Sequence, residues 1–127
     1  MEVFHNLAAR KGETMTVARI SIMRTSPDLG RTSSNKRAQV EHLLDELEEH
    51  LSKLPGYVMG FRFIGHQDKD EVGRVALWKT HEDADHAALN SHTVALRAQI
   101  HRLIDPGHLE TLVEVAGNPK NLPTARG

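Results

Sequence analysis

The chain has 127 residues and a mass of 14.2 kDa, the size of one domain. It contains no cysteine, which excludes a disulfide framework, a zinc ribbon and a thiol nucleophile together. Lys and Arg number 16 against 17 Asp and Glu, and a formal charge of −1 argues against a dedicated nucleic-acid binder or a charged membrane-surface module. Nine histidines make that charge sensitive to pH near neutrality.

Residues 1–15 read as a tail or one short helix, and their apolar patches are too short for the core of a signal peptide. No apolar run reaches the roughly 18 residues of a membrane helix, so a cytoplasmic protein with no membrane partner is expected. Val17 to Arg24 alternates with β-branched residues and predicts a first strand. Residues 25–34 hold turn formers and predict a loop. Asn35 to Leu54 predicts a helix, with Val40, Leu43, Leu44, Leu47, Leu51 and Leu54 on one face. Lys36, Glu41, Asp45, Glu48, Glu49 and Lys53 fall on the opposite face, and Pro55-Gly56 stops the helix.

Gly56 to Gly65 and Val72 to Lys79 predict a hairpin around the polar turn 66–71. Thr80 with Asp83 is a capping box that opens a second helix, ended by Asp105-Pro106-Gly107. Asn90-Ser91-His92-Thr93 are poor helix formers that can bend it. His108 to Ala116 predicts a fourth strand, and residues 117–127, with two prolines and two glycines, predict a flexible tail. The ordered domain is therefore expected over residues 16–116.

The order βαββαβ is the ferredoxin-like α+β arrangement, a four-stranded antiparallel sheet with two helices on one face. Strand two divides Tyr57, Met59, Phe61 and Phe63 from Val58, Gly60, Arg62 and Ile64. Strand one divides Ala18, Ile20 and Ile22 from Val17, Arg19, Ser21 and Met23. Both faces carry apolar residues, so the face without helices is expected to pack on a second copy of the chain. The same order serves RNA-recognition modules, but these need exposed aromatics on strands one and three; strand one has none and strand three only Trp78.

With Gly56-Tyr57 opening strand two and ALWKTHEDADHAALNSH over residues 76–92, the chain resembles the antibiotic biosynthesis monooxygenase family of dimeric α/β barrels. The likeness spans about residues 16–116. Trp78 matches the aromatic that ends the third strand in that family, Lys79-Thr80 the polar pair after it, and His86 and Ser91-His92 the helix positions that follow. The resemblance implies a homodimer whose two sheets close a barrel, with a pocket in each subunit between sheet and helices. It further implies a monooxygenase-like protein, free of cofactor, acting on a small flat aromatic or quinol-type molecule. Members that oxygenate polyketides without a cofactor carry an Asn four residues before the tryptophan, where this chain has Arg74. The first-strand Asn and second-helix Trp of haem-degrading members are missing, so haem is not implied. A non-catalytic ligand-binding or dimerisation module on the same fold is the rival expectation.

Oxygenation without a cofactor needs a base to form the substrate anion and a donor to hold it. His92 shares the predicted stripe Leu89, Leu96, Ile100 and Leu103 and is the candidate base; a buried histidine bonded to a carbonyl is the plainer reading. His86 lies beside that stripe, at a pocket mouth or in solvent. Trp78 shares a strand face with Arg74 and Ala76 and either stacks on a flat substrate or packs an interface. Arg19, Arg62 and Arg74 are arginines within strands; one of them can hold an anionic ligand, or each can pair with Glu110 or Glu114. Arg74 and Arg19 are the substrate-binding candidates. His81 with Asp85, and His86 with Asn90, have i, i+4 spacing, weak as metal signals, and no metal is expected. His42 and His50 fall on the polar side of the first helix, and His101 and His108 at element ends.

Overall fold

The computed structural model describes residues 15–25 and 34–116. The expected tails over 1–14 and 117–127, and most of the expected loop after the first strand, lie outside the described residues. The elements run β1 (Val17–Arg24), α1 (Ser34–Leu51), β2 (Tyr57–Ile64), β3 (Glu71–Trp78), α2 (His81–Leu89), α3 (Ser91–His101) and β4 (Leu109–Glu114). The four strands form one antiparallel sheet in the order β2-β3-β1-β4, the ferredoxin-like order. No helix among the described residues is long and apolar enough to cross a membrane.

The helices cover one face of the sheet. Val40, Leu44, Leu47 and Leu51 of α1 pack with Leu96 and Ile100 of α3 on Val17, Met23, Val72, Ala76 and Trp78 of the sheet. Each fully buried leucine stabilises this core by about 2 kcal/mol. Alternation along β3 sends Val72, Arg74, Ala76 and Trp78 to that face, all four buried.

Two expectations are corrected by local backbone features. The register between β2 and β3 shifts between Tyr57 and Met59. An extra residue at such a bulge reverses the alternation. Tyr57, opposite Trp78, therefore separates from Met59, Phe61 and Phe63, and it is buried with its ring edge-on to Trp78 at 5.6 Å and 81°. The expected second helix is two helices. Asn90 has an extended ψ of 134°, ends α2, and caps α3 by accepting from the N–H groups of His92 and Thr93. The break resets the helical phase. Thr93, Leu96 and Ile100 are the buried positions of α3, while Leu89 is 77% exposed and His92 is exposed.

The other sheet face is apolar, and no described element covers it. Pairing aligns Ala18, Ile20 and Ile22 of β1 with Leu77, Val75 and Gly73 of β3 and with Val113, Thr111 and Leu109 of β4. Met59, Phe61 and Phe63 extend the same face at the β2 edge. Phe61 is 48% exposed, Leu109 53% and Val113 40%.

Candidate functional site

The site is built where α2 and α3 cross the Trp78 end of β3. Helix α2 turns Ala84 and Ala87 inward, and such short side chains leave space above the tryptophan. A narrow cavity of about 10 Å³, room for one water, results, lined by Arg19, Arg74, Trp78, Ala87, Thr93 and Arg97 among others. A second, also of about 10 Å³, lies farther along the sheet, between Ser21, Leu44, His101, His108 and Glu110. Arg74 and Arg97 line both.

Arg74 is the centre of this arrangement. It is 4% exposed, and its Nη1 has no hydrogen-bond partner. Burial lowers its pKa to about 10, with Arg97 and Arg19 lowering it and Glu110 and Glu48 opposing. Arg97 donates a hydrogen bond from Nη2 to Glu110 Oε1. Arg19 lies 3.7 Å from Glu110 and 3.8 Å from Asp85. Three arginines thus converge on an interior whose nearest carboxylate, Glu110, is already engaged by two of them.

Glu48 was expected on the solvent face of the first helix, yet both its carboxylate oxygens are buried without a hydrogen-bond partner. It lies over Gly60 of β2, where any Cβ would collide with the carboxylate. Burial raises its pKa, Arg74 lowers it in part and Asp45 raises it. Arg62 points the other way from its expected acids: it donates to Asp45 at 2.7 Å and lies 4.0 Å from Glu41, both on α1.

The structure brings together Trp78, Arg74 and Arg19, and leaves His92 and His86 outside this cavity. The stripe position expected of His92 belongs to Thr93, because the break at Asn90 shifts the phase. The His92 ring meets His50 edge-on at 4.5 Å, and His50 Nε2 lies 3.1 Å from Asn90 Oδ1 and 3.0 Å from Thr93 Oγ1. His50, expected in solvent, is therefore half-buried, and burial first, then His92, lowers its pKa. His86 is exposed and lines a separate pocket of about 140 Å³ with Leu54, Pro55, Asp83 and Asn90. His81 Nδ1 lies 3.4 Å from Asp85 Oδ2. Among the described residues no three His, Cys, Asp or Glu side chains come together as a metal site.

Arg97, His101 and His108, expected only at helix ends and turns, also line the second cavity. The two imidazoles lie 4.5 Å apart with planes at 41° and border the second cavity. Burial lowers the His101 pKa, followed by His108 and Arg97, against Glu110. A faint signal existed for Glu48, which sits four residues after Leu44 and three before Leu51 on the apolar stripe.

Comparison with solved structures places this arrangement in a known class of fold. SnoaB, a cofactor-independent oxygenase from Streptomyces nogalater, superposes with a TM-score of 0.69 at 12% identity, over 84% of this chain and 98% of that one. A conserved protein from Methanosarcina mazei gives 0.68 at 12% identity, over 79% and 92%. An antibiotic biosynthesis monooxygenase gives 0.64 at 17% identity, over 81% and 99%. No protein-family model and no curated protein matches the sequence. The chain has the ferredoxin-like α+β fold of the antibiotic biosynthesis monooxygenases, at sequence identities that carry the fold alone.

Proposed function

We propose that this protein is a cofactor-independent, monooxygenase-like protein that takes a small flat aromatic or quinol-type molecule between its sheet and helices. The observation that carries this reading is Arg74: a buried guanidinium with an unpartnered N–H, in a cavity walled by Trp78 and alanines. The lining supplies what a flat ring with one acidic oxygen needs, an aromatic wall and a free N–H, and the cavity, with room for about one water, has to widen to admit it. Trp78 offers the ring an aromatic wall, Arg74 and Arg19 hold the oxygen, and Arg97, less buried than Arg74 and bonded to Glu110, lines the same cavity. Once deprotonated, such a substrate is electron-rich enough to reduce molecular oxygen itself. The likeness to SnoaB supports this chemistry as the fold's precedent.

The second reading is binding without turnover, favoured by the position of His86 and His92 outside the Trp78 cavity. In either case the uncovered sheet face is proposed to pair with a second copy of the chain, burying Phe61, Leu109 and Val113. Oxygen consumption with an anthrone or a quinol, measured on wild type and Arg74→Met, tests the first reading. Uptake that the variant loses supports it. Ligand binding without uptake moves the protein to the second reading, and no binding at all removes both.

A further inference from the structure

We propose that the cavity beside Trp78 is a halide site, in which a single chloride ion rests among the guanidinium groups of Arg19, Arg74 and Arg97. The site uses the guanidinium on which the reading above depends. It needs no widening of the cavity and no aromatic ligand, so it stands or falls separately.

Size restricts the occupant. The cavity has about 10 Å³, enough for one water and too little for a polyatomic anion such as sulfate or a carboxylate. A chloride ion is a single sphere little larger than a water.

The lining then decides between water and an anion. Arg19, Arg74 and Arg97 line the cavity, and no carboxylate does. The hydroxyl of Thr93, in the same wall, is engaged by His50 Nε2 at 3.0 Å. The second cavity is of the same size and shares Arg74 and Arg97, yet Glu110 and Ser21 line it as well. A water both donates and accepts, which suits that mixed lining. A lining of guanidinium groups only donates and leaves the hydrogens of a water without acceptors. A halide only accepts, and it also brings the charge that the wall lacks.

The donors have capacity left. Arg74 is 4% exposed and its Nη1 has no hydrogen-bond partner. Arg19 comes no nearer than 3.7 Å to Glu110 and 3.8 Å to Asp85, beyond hydrogen-bond distance. Arg97 gives one N–H group to Glu110. Glu110 and Glu48 supply their negative charge from outside the cavity wall. Neighbouring guanidinium groups repel, and a buried one without a partner carries its desolvation cost uncompensated. A chloride among them lowers both costs, in a space where water does not weaken the attraction. An aromatic acid that reaches Arg74 has to displace the ion, so chloride and such a ligand compete.

The test is nuclear magnetic resonance of chloride itself, on the full chain in sodium gluconate buffer. Wild type is expected to broaden the chloride line saturably, as exchange with a single site does. Bromide is expected to reverse the broadening. Sulfate at equal ionic strength is expected to leave it, because the cavity excludes sulfate while arginines on the surface would take it. Glu48→Gln keeps Arg74 and is expected to keep the broadening, and Arg74→Met added to it is expected to abolish it. The double variant is used because Arg74→Met alone leaves the Glu48 carboxylate without its countercharge. Should it not fold, the comparison of bromide with sulfate on wild type decides. No saturable broadening by wild type overturns the site. So does broadening that sulfate reverses as readily as bromide, or that persists in the folded double variant. Binding of a quinol or aromatic acid is measured separately, and the reading above survives either result.

Discussion

Glu48 and Arg74 attract one another across the space between α1 and β3, yet neither Glu48 oxygen nor Arg74 Nη1 has a hydrogen-bond partner. Two opposite charges lie inside the protein without a direct bond between them. Such an arrangement costs stability through desolvation, and it leaves bonding capacity free for a ligand.

The first consequence concerns Glu48 and pH. Its folded pKa is raised, so the folded state binds its proton more tightly than the unfolded chain does. Stability is then highest below the ordinary glutamate value and falls as pH rises through the raised value. Thermal melts from pH 4 to 8 are expected to show this decline in wild type. Glu48→Gln abolishes its share, so the variant gains relative to wild type as pH rises. Parallel curves would refute the burial of this carboxylate.

Arg74→Met separates folding from binding. Removing the guanidinium alone leaves the buried Glu48 carboxylate without its countercharge, so Arg74→Met is expected to cost about 3–5 kcal/mol, a loss that adding Glu48→Gln reduces. A charge-assisted hydrogen bond to a ligand oxygen is worth about 1.5–3 kcal/mol. The variant is therefore expected to bind an aromatic acid about 10- to 100-fold more weakly. Urea denaturation and a binding titration on the same sample check both halves.

Asn90 joins two helices and His50 with one side-chain oxygen. Asn90→Ala removes the cap of α3 and is expected to cost about 1 kcal/mol in urea unfolding. His50 adds a pH signature of the opposite sign to that of Glu48. Its pKa is lowered, so the stability linked to it is present above the ordinary histidine value and is lost as pH falls through the lowered one. His50→Gln is expected to flatten the acid limb of the stability profile below about pH 6.5.

Phe61 tests the apolar sheet face. A charge on that face cannot be buried against a second copy without a large penalty. If the face pairs two copies as proposed, wild type is expected to sediment as a dimer and Phe61→Glu as a monomer with an unchanged far-ultraviolet spectrum.

Much of this was legible in the sequence. Strand alternation and the α1 stripe gave the element order, and alternation along β3 put Arg74, Ala76 and Trp78 on one buried face. Three things were hidden, each for a physical reason. One bulge at the start of β2 moved Tyr57 to the other face. One non-helical residue, Asn90, rotated α3 so that Thr93 rather than His92 turns inward. The His101–His108 pair arises from the path of the turn that links α3 to β4, which is pinned only by tertiary bonds to β1. Periodicity within an element cannot report such contacts.

The uncovered sheet wall has a thermodynamic corollary. Charges line the helix side of this sheet while phenylalanine, leucine and valine face outward from the other. For a chain whose greasy wall is closed by a twin, dilution acts as a denaturant. Folding and pairing become one equilibrium, and the melting temperature falls as the protein is diluted.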